Sequence, residues 1–484
     1  MASTSSEYNI IRKFGSDDDN NFGTLYLVEK EEKGEKKAYM KKVLKESKED
    51  EIGSQKLFDI EIDIINKLAN CKDNIYTPII YAYKKYNIPD NKINQKPGEN
   101  KEKIQNEFSN SEERPFYIID FFSKGNLFYY TKFGNLLEQK HSKLLFKKIA
   151  EGFRFIHNQK ICHLDIKLEN IVFDKNFEPI IIDFGYSMEL EESDGKIRPF
   201  KGSRGSKLYE SPEMLENKEY NGIQSDIFSL GVILFNIVSG SYGFKSSSTD
   251  DKYYKFIVNN KDEYKAYWKL VEQTINMKFS DNFKKLYVKM IAYNPSDRIK
   301  NIDEILNDPW FQEINDEKDK DKLELEYKEN ISKICENIKI KENEELIVSD
   351  EIIKEGYNTR CDDDDKKRAF SNEKIKVKKI PNDMILVNHF IKIKGNIPEL
   401  DFMNDLYDEI IENLNGFCKE SKESLKFEVT FEETEERGIC KMDIELFKYE
   451  EGRYLLEFLR TRGEIQDYYH YFSEIKELLK KNEE

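Results

Sequence analysis

The chain is short of cysteine, of net positive charge and of long apolar runs, and each shortage removes a class of protein. Its six cysteines, Cys71, Cys162, Cys335, Cys361, Cys418 and Cys440, are scattered through 484 residues. They have neither the paired spacing of a metal site nor the density of a disulfide scaffold, so a reducing compartment is expected. With 94 acidic against 78 basic residues the formal charge is −16. Binding to phosphate backbones needs concentrated positive charge, so no nucleic-acid partner is expected. No stretch approaches the roughly 18 apolar residues of a membrane span, and the opening residues from Met1 to Glu7 lack an apolar signal core. No calcium-binding loop is present either. The expectation is a soluble intracellular protein, placed in the cytoplasm, with the nucleus or a peripheral membrane site as alternatives.

What is present suffices for more than one core. Hydrophobic residues make up 38% and aromatics 13% of a 57.5-kDa chain, which predicts two or three domains. Short apolar runs over 9–45 read as antiparallel strands, and Leu57, Ile60, Ile64, Ile65 and Leu68 recur at helical spacing. Residues 88–114 are polar and charged and read as a solvated insertion between two strands. From 126 to about 312 the pattern is mainly helical, with the apolar run 227–238 read as a buried helix of a large lobe. Residues 313–383 are dominated by charge and read as a linker holding a short helix around 321–340. Beyond them, a strand at 391–394, a helix from Phe402 to Leu414, three alternating strands and a terminal amphipathic helix predict a small α+β unit with its helices on one face of an antiparallel sheet.

The chemistry lies in two short segments. One places His163, Asp165, Lys167 and Asn170 within eight residues, and thirteen residues later comes Asp183-Phe184-Gly185. Together they supply a base, a phosphate-charge partner and two metal ligands in the order phosphoryl transfer requires. With Lys41, Glu61, the segment closing on Ser211-Pro212-Glu213, Asp226 and Arg298, the chain over about 10–312 resembles the eukaryotic protein kinase family, serine/threonine branch. The resemblance implies a bilobal α+β kinase fold, with a small lobe over 10–122, a large lobe over 123–312 and a separate small α+β domain over 384–482. It implies Asp165 as the base for a substrate hydroxyl, Lys167 near the transferred phosphoryl group, and Asn170 and Asp183 as ligands of Mg2+. Lys41 is expected to contact the phosphates of ATP and to pair with Glu61. Gly23 and Leu25 are expected over the nucleotide, Ile119 behind the adenine pocket, and Asp120 and Phe122 in the hinge. Asp226 would hold the catalytic-loop backbone, and Arg298 would pair with Glu213. The partner implied is a protein with a serine or threonine acceptor.

Three departures accompany the resemblance. The phosphate-covering loop keeps Gly23, but the preceding segment from Gly15 to Asn21 carries Asp17, Asp18 and Asp19 where closely spaced glycines are usual. Tyr39, two residues before Lys41, would stand where a small alanine covers adenine unless a bulge restores the register. Leu164 replaces the arginine that would pair with activation-loop phosphate, so activity is expected not to need that phosphate; Ser203, Ser206 and Tyr209 are candidate phosphosites in the loop, each expected to be unmodified more often than not.

The C-terminal order of elements, with Phe458 and Gly463, resembles the kinase-associated domain of some serine/threonine kinases. That resemblance implies an autoinhibitory contact with the kinase domain or binding to anionic lipid, with Lys392, Lys394, Arg453, Arg460 and Arg462 as the basic candidates. Two readings stay open: an active kinase with a regulatory or targeting domain, and a kinase-fold scaffold of weak or no activity that binds a protein partner.

Overall fold

The computed structural model describes residues 7–14, 23–45, 51–85, 114–133, 137–191, 196, 198–258, 264–316, 318–342, 345–347, 378–379, 389–394, 399–420, 425–434, 437–450, 453–462 and 465–481. The glycine-poor loop over 15–21 and nearly all of the expected insertion lie outside them, as does Gly463. The chain divides into two compact units, one centred on residues 25–338 and the other on 339–484.

The first unit opens with five strands: β1 (Asn9–Phe14), β2 (Gly23–Glu32), β3 (Glu35–Leu44), β4 (Ile80–Lys84) and β5 (Phe116–Asp120). They form one sheet in the order β1-β2-β3-β5-β4, and helix α1 (Glu51–Ala69) lies between β3 and β4 in the chain. Alternation along the strands sorts their side chains onto two faces. On one face Tyr39, Ala82, Phe116 and Ile118 join Tyr8 and Val28 in a buried cluster. The β3–β5 register pairs Met40 with Ile119 and Lys42 with Tyr117, so these four belong to the other face. The helix α1 turns Phe58, Ile62, Ile65 and Leu68 inward at helical spacing.

Residues 123–312 are mainly helical, as expected. The helix Gly222–Ser239 is long and apolar enough to cross a membrane, but 78% of it is buried, and it forms the centre of this lobe. Asn221 caps its first turn by accepting from the backbone N–H groups of Ile223 and Gln224, and Gly240 ends it in the left-handed region (φ 67°). Its Phe235 is ringed by Trp268, Phe279, Phe283 and Tyr287, with centroids 5.1–6.4 Å away. Trp310 is buried beside Phe146 and Phe283.

The expected linker starts differently. Residues Lys320–Glu342 form one long helix, and up to residue 338 it belongs to the first unit. Leu323, Tyr327, Ile331, Ile334 and Cys335 are buried as one stripe, the fully buried Tyr327 donating to the carbonyl of Phe177 at 3.0 Å. Glu178 and Glu324 alternate with Lys148 and Lys328 in four ion pairs of 2.8–3.2 Å alongside that contact. The high charge of this segment belongs to the outer face of a packed helix and to its rim.

The second unit is built on a seven-stranded sheet. Strands His389–Lys394, Arg453–Arg462, Cys440–Glu450, Lys426–Phe431 and Phe417–Glu420 follow one another antiparallel. Two short strands from within the expected linker, Glu345–Ile347 and Lys378–Lys379, join it in parallel. Phe427, Ile444 and Phe458 form one cross-strand rung. Helices Glu399–Leu414 and Ile465–Lys481 cover that face: Tyr407 packs on Phe427 and Phe472 on Phe458, at 5.4 and 5.0 Å. The α+β architecture expected from periodicity is what forms, with one strand, Phe417–Glu420, added between the first helix and the three alternating strands.

Candidate active site

The catalytic loop hangs between two short strands, Ile161–Cys162 and Ile171–Phe173, and Asp183 follows the strand Pro179–Ile181 that pairs with the latter. Asp226 fixes the start of the loop. Its carboxylate accepts from the backbone N–H groups of His163 and Leu164 at 2.8 and 2.9 Å and is 2.8 Å from His157 Nε2. Asp226 is 1% exposed, so this buried charge is met by hydrogen bonds on both oxygens. His163 is fully buried, its Nε2 3.1 Å from the carbonyl of Ile182, and its ring packs on Phe184 at 5.1 Å. It supports the loop, and its ring ties the two active segments together.

Past that anchor the chain presents Asp165, of which only 4% is exposed. Its Oδ2 accepts from Lys167 Nζ at 2.8 Å and from Asn170 Nδ2 at 3.1 Å. Its Oδ1 is buried and has no hydrogen-bond partner among the described residues. Asn170 also donates to the backbone carbonyl of Asp165, so both of these contacts use its amide nitrogen. Burial alone would lower the ammonium pKa of Lys167, but the Asp165 carboxylate raises it above its ordinary value.

The second cluster corrects the expectation for Lys41. Lys42, not Lys41, meets Glu61: its Nζ lies 2.8 and 3.0 Å from the two carboxylate oxygens and 3.1 Å from Asp183 Oδ1. Adjacent strand residues point to opposite faces, and Lys41 lies on the face of the apolar cluster with its Nζ 4.4 Å from the Phe116 ring centre. The same shift removes Tyr39 from the adenine face, where its place is taken by Met40. Tyr117, next to Lys42 in register, donates its hydroxyl to Glu61 Oε1 at 2.8 Å.

Burial would lower the Lys42 ammonium pKa, yet the carboxylates of Asp183 and Glu61 carry it well above its usual value. For Asp183 burial would raise the carboxyl, and Lys42 and Lys167 bring it down to about 2. Its side chain is nevertheless 42% exposed, open to an incoming group. Glu61, 1% exposed, is raised by burial, with Lys42 opposing.

Of the remaining expected residues, Ile119 is buried on the Lys42 face of β5. Asp120 spends its carboxylate on Tyr81 Oη at 2.7 Å and on the Ile79 N–H, while the Phe122 carbonyl accepts from Gly125 in a turn. Gly23 is buried, and Leu25 is 38% exposed on β2. Val28 is in the apolar cluster, so alternation gives Leu25 the opposite face, the one Lys42 occupies.

The segment before Glu213 closes over the base. Gly205 has φ +79°, and a Cβ there would collide with Asp165 Oδ1. Ser203 hydrogen-bonds the buried carboxylate of Glu210. Glu213 makes a two-pronged pair with Arg298 at 2.7 and 2.9 Å, and Arg298 also donates to the carbonyls of Ala292 and Gln224. Leu164 is buried with Leu190, Phe200, Met214 and Tyr220, an apolar cluster in place of a charged contact.

The donor set suits a hard cation. Magnesium takes one or two protein oxygens and completes its shell with phosphates and water, so the open carboxylate of Asp183 and the amide oxygen of Asn170 fit it without a larger acidic cluster. A two-lobed α+β fold that converges a lysine–glutamate pair, a loop aspartate and a second carboxylate defines a phosphotransferase class. Residues 8–311, more than half of the chain, match the protein kinase domain family, and the chain belongs to it.

Among similar proteins are CBL-interacting protein kinase 10 of Oryza sativa subsp. japonica, 30% identical over 41% of this chain and 40% of its own length, and CBL-interacting serine/threonine-protein kinase 14 of Arabidopsis thaliana, 29% identical over 42% of each. A probable serine/threonine-protein kinase, MARK-A of Dictyostelium discoideum, is 28% identical over 40% of this chain and 17% of its own length. The matched part of the chain thus spans well under half the length of these relatives.

Proposed function

We propose that the chain is a serine/threonine protein kinase using ATP and magnesium. One observation carries the reading: Asp165 keeps Oδ2 on Lys167 and Asn170 while the buried Oδ1 has no hydrogen-bond partner among the described residues. An unpaired buried acceptor costs about 1–3 kcal/mol, and a substrate hydroxyl that displaces the Gly205 segment from Oδ1 supplies the missing donor. In the reaction that hydroxyl oxygen bonds to the γ-phosphorus as the bond from phosphorus to the leaving ADP oxygen breaks, and its proton passes to Asp165 Oδ1. Lys42, fixed by Glu61, holds the α and β phosphates, and Lys167 faces the charge that builds on the transferred group. Asp183 and Asn170 hold the magnesium, which when bound neutralises charge on the phosphate oxygens.

Radiolabel transfer from ATP to serine- and threonine-containing peptides tests this. Asp165→Asn and Asp183→Asn should each reduce transfer by at least about a hundredfold; a wild type no better than Asp183→Asn ends the reading. Met40, opposite Ile119 on the nucleotide face, favours the second reading, a scaffold of weak catalysis, because it narrows the adenine space. A scaffold keeps its partner binding in both variants.

Independence from activation-loop phosphate is supported by the apolar packing of Leu164, which leaves no cation at that position. Phosphatase-treated protein should retain its rate. The second unit is proposed as a regulatory or targeting domain, acting on the kinase domain or on anionic lipid. Comparing the full chain with residues 1–342 tests the first mode, and vesicles with and without an anionic lipid the second.

A further inference from the structure

The Lys42–Glu61 pair has a third member. Tyr117 is 3% exposed in the middle of β5, and its ring stacks on Phe58, one turn before Glu61 on α1, with centroids 5.6 Å apart and planes at 29°. Held there, its hydroxyl reaches Glu61 Oε1 at 2.8 Å, the same oxygen that Lys42 Nζ approaches at 2.8 Å. A phenylalanine would fill the same space, and burying a hydroxyl is unfavourable unless it is hydrogen-bonded. Here the partner is a carboxylate of 1% exposure, where a donated bond is strong and directional.

Among the described residues, the groups facing Glu61 are Lys42 from β3, Tyr117 from β5, and Asp183 across Lys42. Lys42 is drawn by two carboxylates at once. Its position between them depends on how the Glu61 carboxylate is rotated, and Tyr117, beside Lys42 on the same face of the sheet, fixes that rotation from the neighbouring strand.

We propose that Tyr117 is a positioning residue for the nucleotide, its hydroxyl orienting Glu61 so that Lys42 is aimed at the phosphates and at Asp183. This rests on the kinase reading above. It acts through Glu61 and touches no substrate.

The test is Tyr117→Phe, which keeps the ring and removes only the hydroxyl. Expected are a fall of about tenfold in kcat/KM for ATP, an unchanged KM for the peptide substrate and a thermal midpoint within about 4 °C of the wild type. In a Glu61→Gln background, adding Tyr117→Phe should bring no further loss, because the hydroxyl has no other route to the nucleotide. Wild-type ATP kinetics in Tyr117→Phe, or losses that multiply in the double variant, overturn the proposal while leaving the kinase reading intact. Should the wild type bind a fluorescent ATP analogue without turnover, the same tenfold change is read in its Kd. A wild type that neither turns over nor binds nucleotide overturns both, and is told apart by the wild-type measurement alone.

Discussion

Adjacent lysines on one strand make opposed predictions that a single pair of substitutions separates. Lys42→Ala removes the cation that joins Glu61 to Asp183 and should lower kcat/KM for ATP by at least about a hundredfold, whereas Lys41→Ala should stay within about twofold of wild type. Steady-state ATP kinetics on both decides it; equal losses would refute the register. The sequence did not separate the two because both alternations along β3 are apolar: Tyr39 and Val43 accompany Lys41, Met40 and Leu44 accompany Lys42. The clue was Tyr39, too large for a position above adenine. Moving the phase by one residue sends it into the cluster with Tyr8 and Ala82, with no bulge required. By contrast, Asp165 and Asn170 meet within one loop at 3.1 Å, and Asp183, from the following hairpin, faces Lys42 at 3.1 Å. Gly205 belongs to the same scale. Gly205→Ala places a methyl against Asp165 Oδ1 from a backbone angle of +79°, and transfer should fall by at least about tenfold with nucleotide binding unchanged, as a rate and a nucleotide Kd measured side by side would report.

At the scale of elements a helix forms where one was expected around 321–340, as Lys320–Glu342, and the departure is that it packs on the lobe instead of lying in a linker. Its mean composition is polar enough to pass for a linker, since four buried apolar turns are diluted by charge on every other face. The helix itself is legible, and what the acidic and basic runs mask is the buried stripe at 323, 327, 331 and 334. The family match stops at residue 311, but the packed lobe does not. A chain ended at 316 would uncover the surface that Leu323, Tyr327 and Ile331 bury and strand Lys148 beside Glu178. Losing three buried side chains at roughly 1.5–3 kcal/mol each predicts a melting midpoint at least about 6 °C below that of a chain ended at 342. Calorimetry on the two truncations checks this, and coincident midpoints would show that the helix contributes nothing to the lobe. The strands at 345–347 and 378–379 escaped for a related reason: segments of two or three residues have no measurable period and are specified only by the sheet they join.

For the whole molecule, the acidic balance and the buried ion pairs act on stability in opposite directions as pH falls. A formal charge of −16 at pH 7 means that protonating exposed carboxylates first relieves repulsion, down towards the isoelectric point near 5.2. Below that the paired carboxylates take over. Glu272 is 8% exposed; burial would raise its carboxyl, but hydrogen bonds from Lys278 and Lys284, at 2.8 and 2.6 Å, and from the Phe279 N–H hold it down at about 2. A carboxyl whose folded pKa is depressed contributes stability that is complete above its unfolded value of 4.5 and is lost as pH falls to about 2. Because the Lys278 side chain is 84% exposed, solvent screens part of this gain, and the contribution is on the order of 1 kcal/mol. Urea unfolding of the full chain should therefore show stability level or slightly rising from pH 7 to 5 and falling steeply from 4.5 downward. Glu272→Gln should be less stable than wild type by that amount at pH 7 and should meet the wild-type curve near pH 2, because protonation of the native carboxyl leaves both proteins with a neutral group between the same two lysines. Curves that stay parallel through this window would mean that Glu272 keeps an ordinary pKa in the folded chain, and the acid limb would then have to come from other pairs, Asp183 with Lys42 first among them.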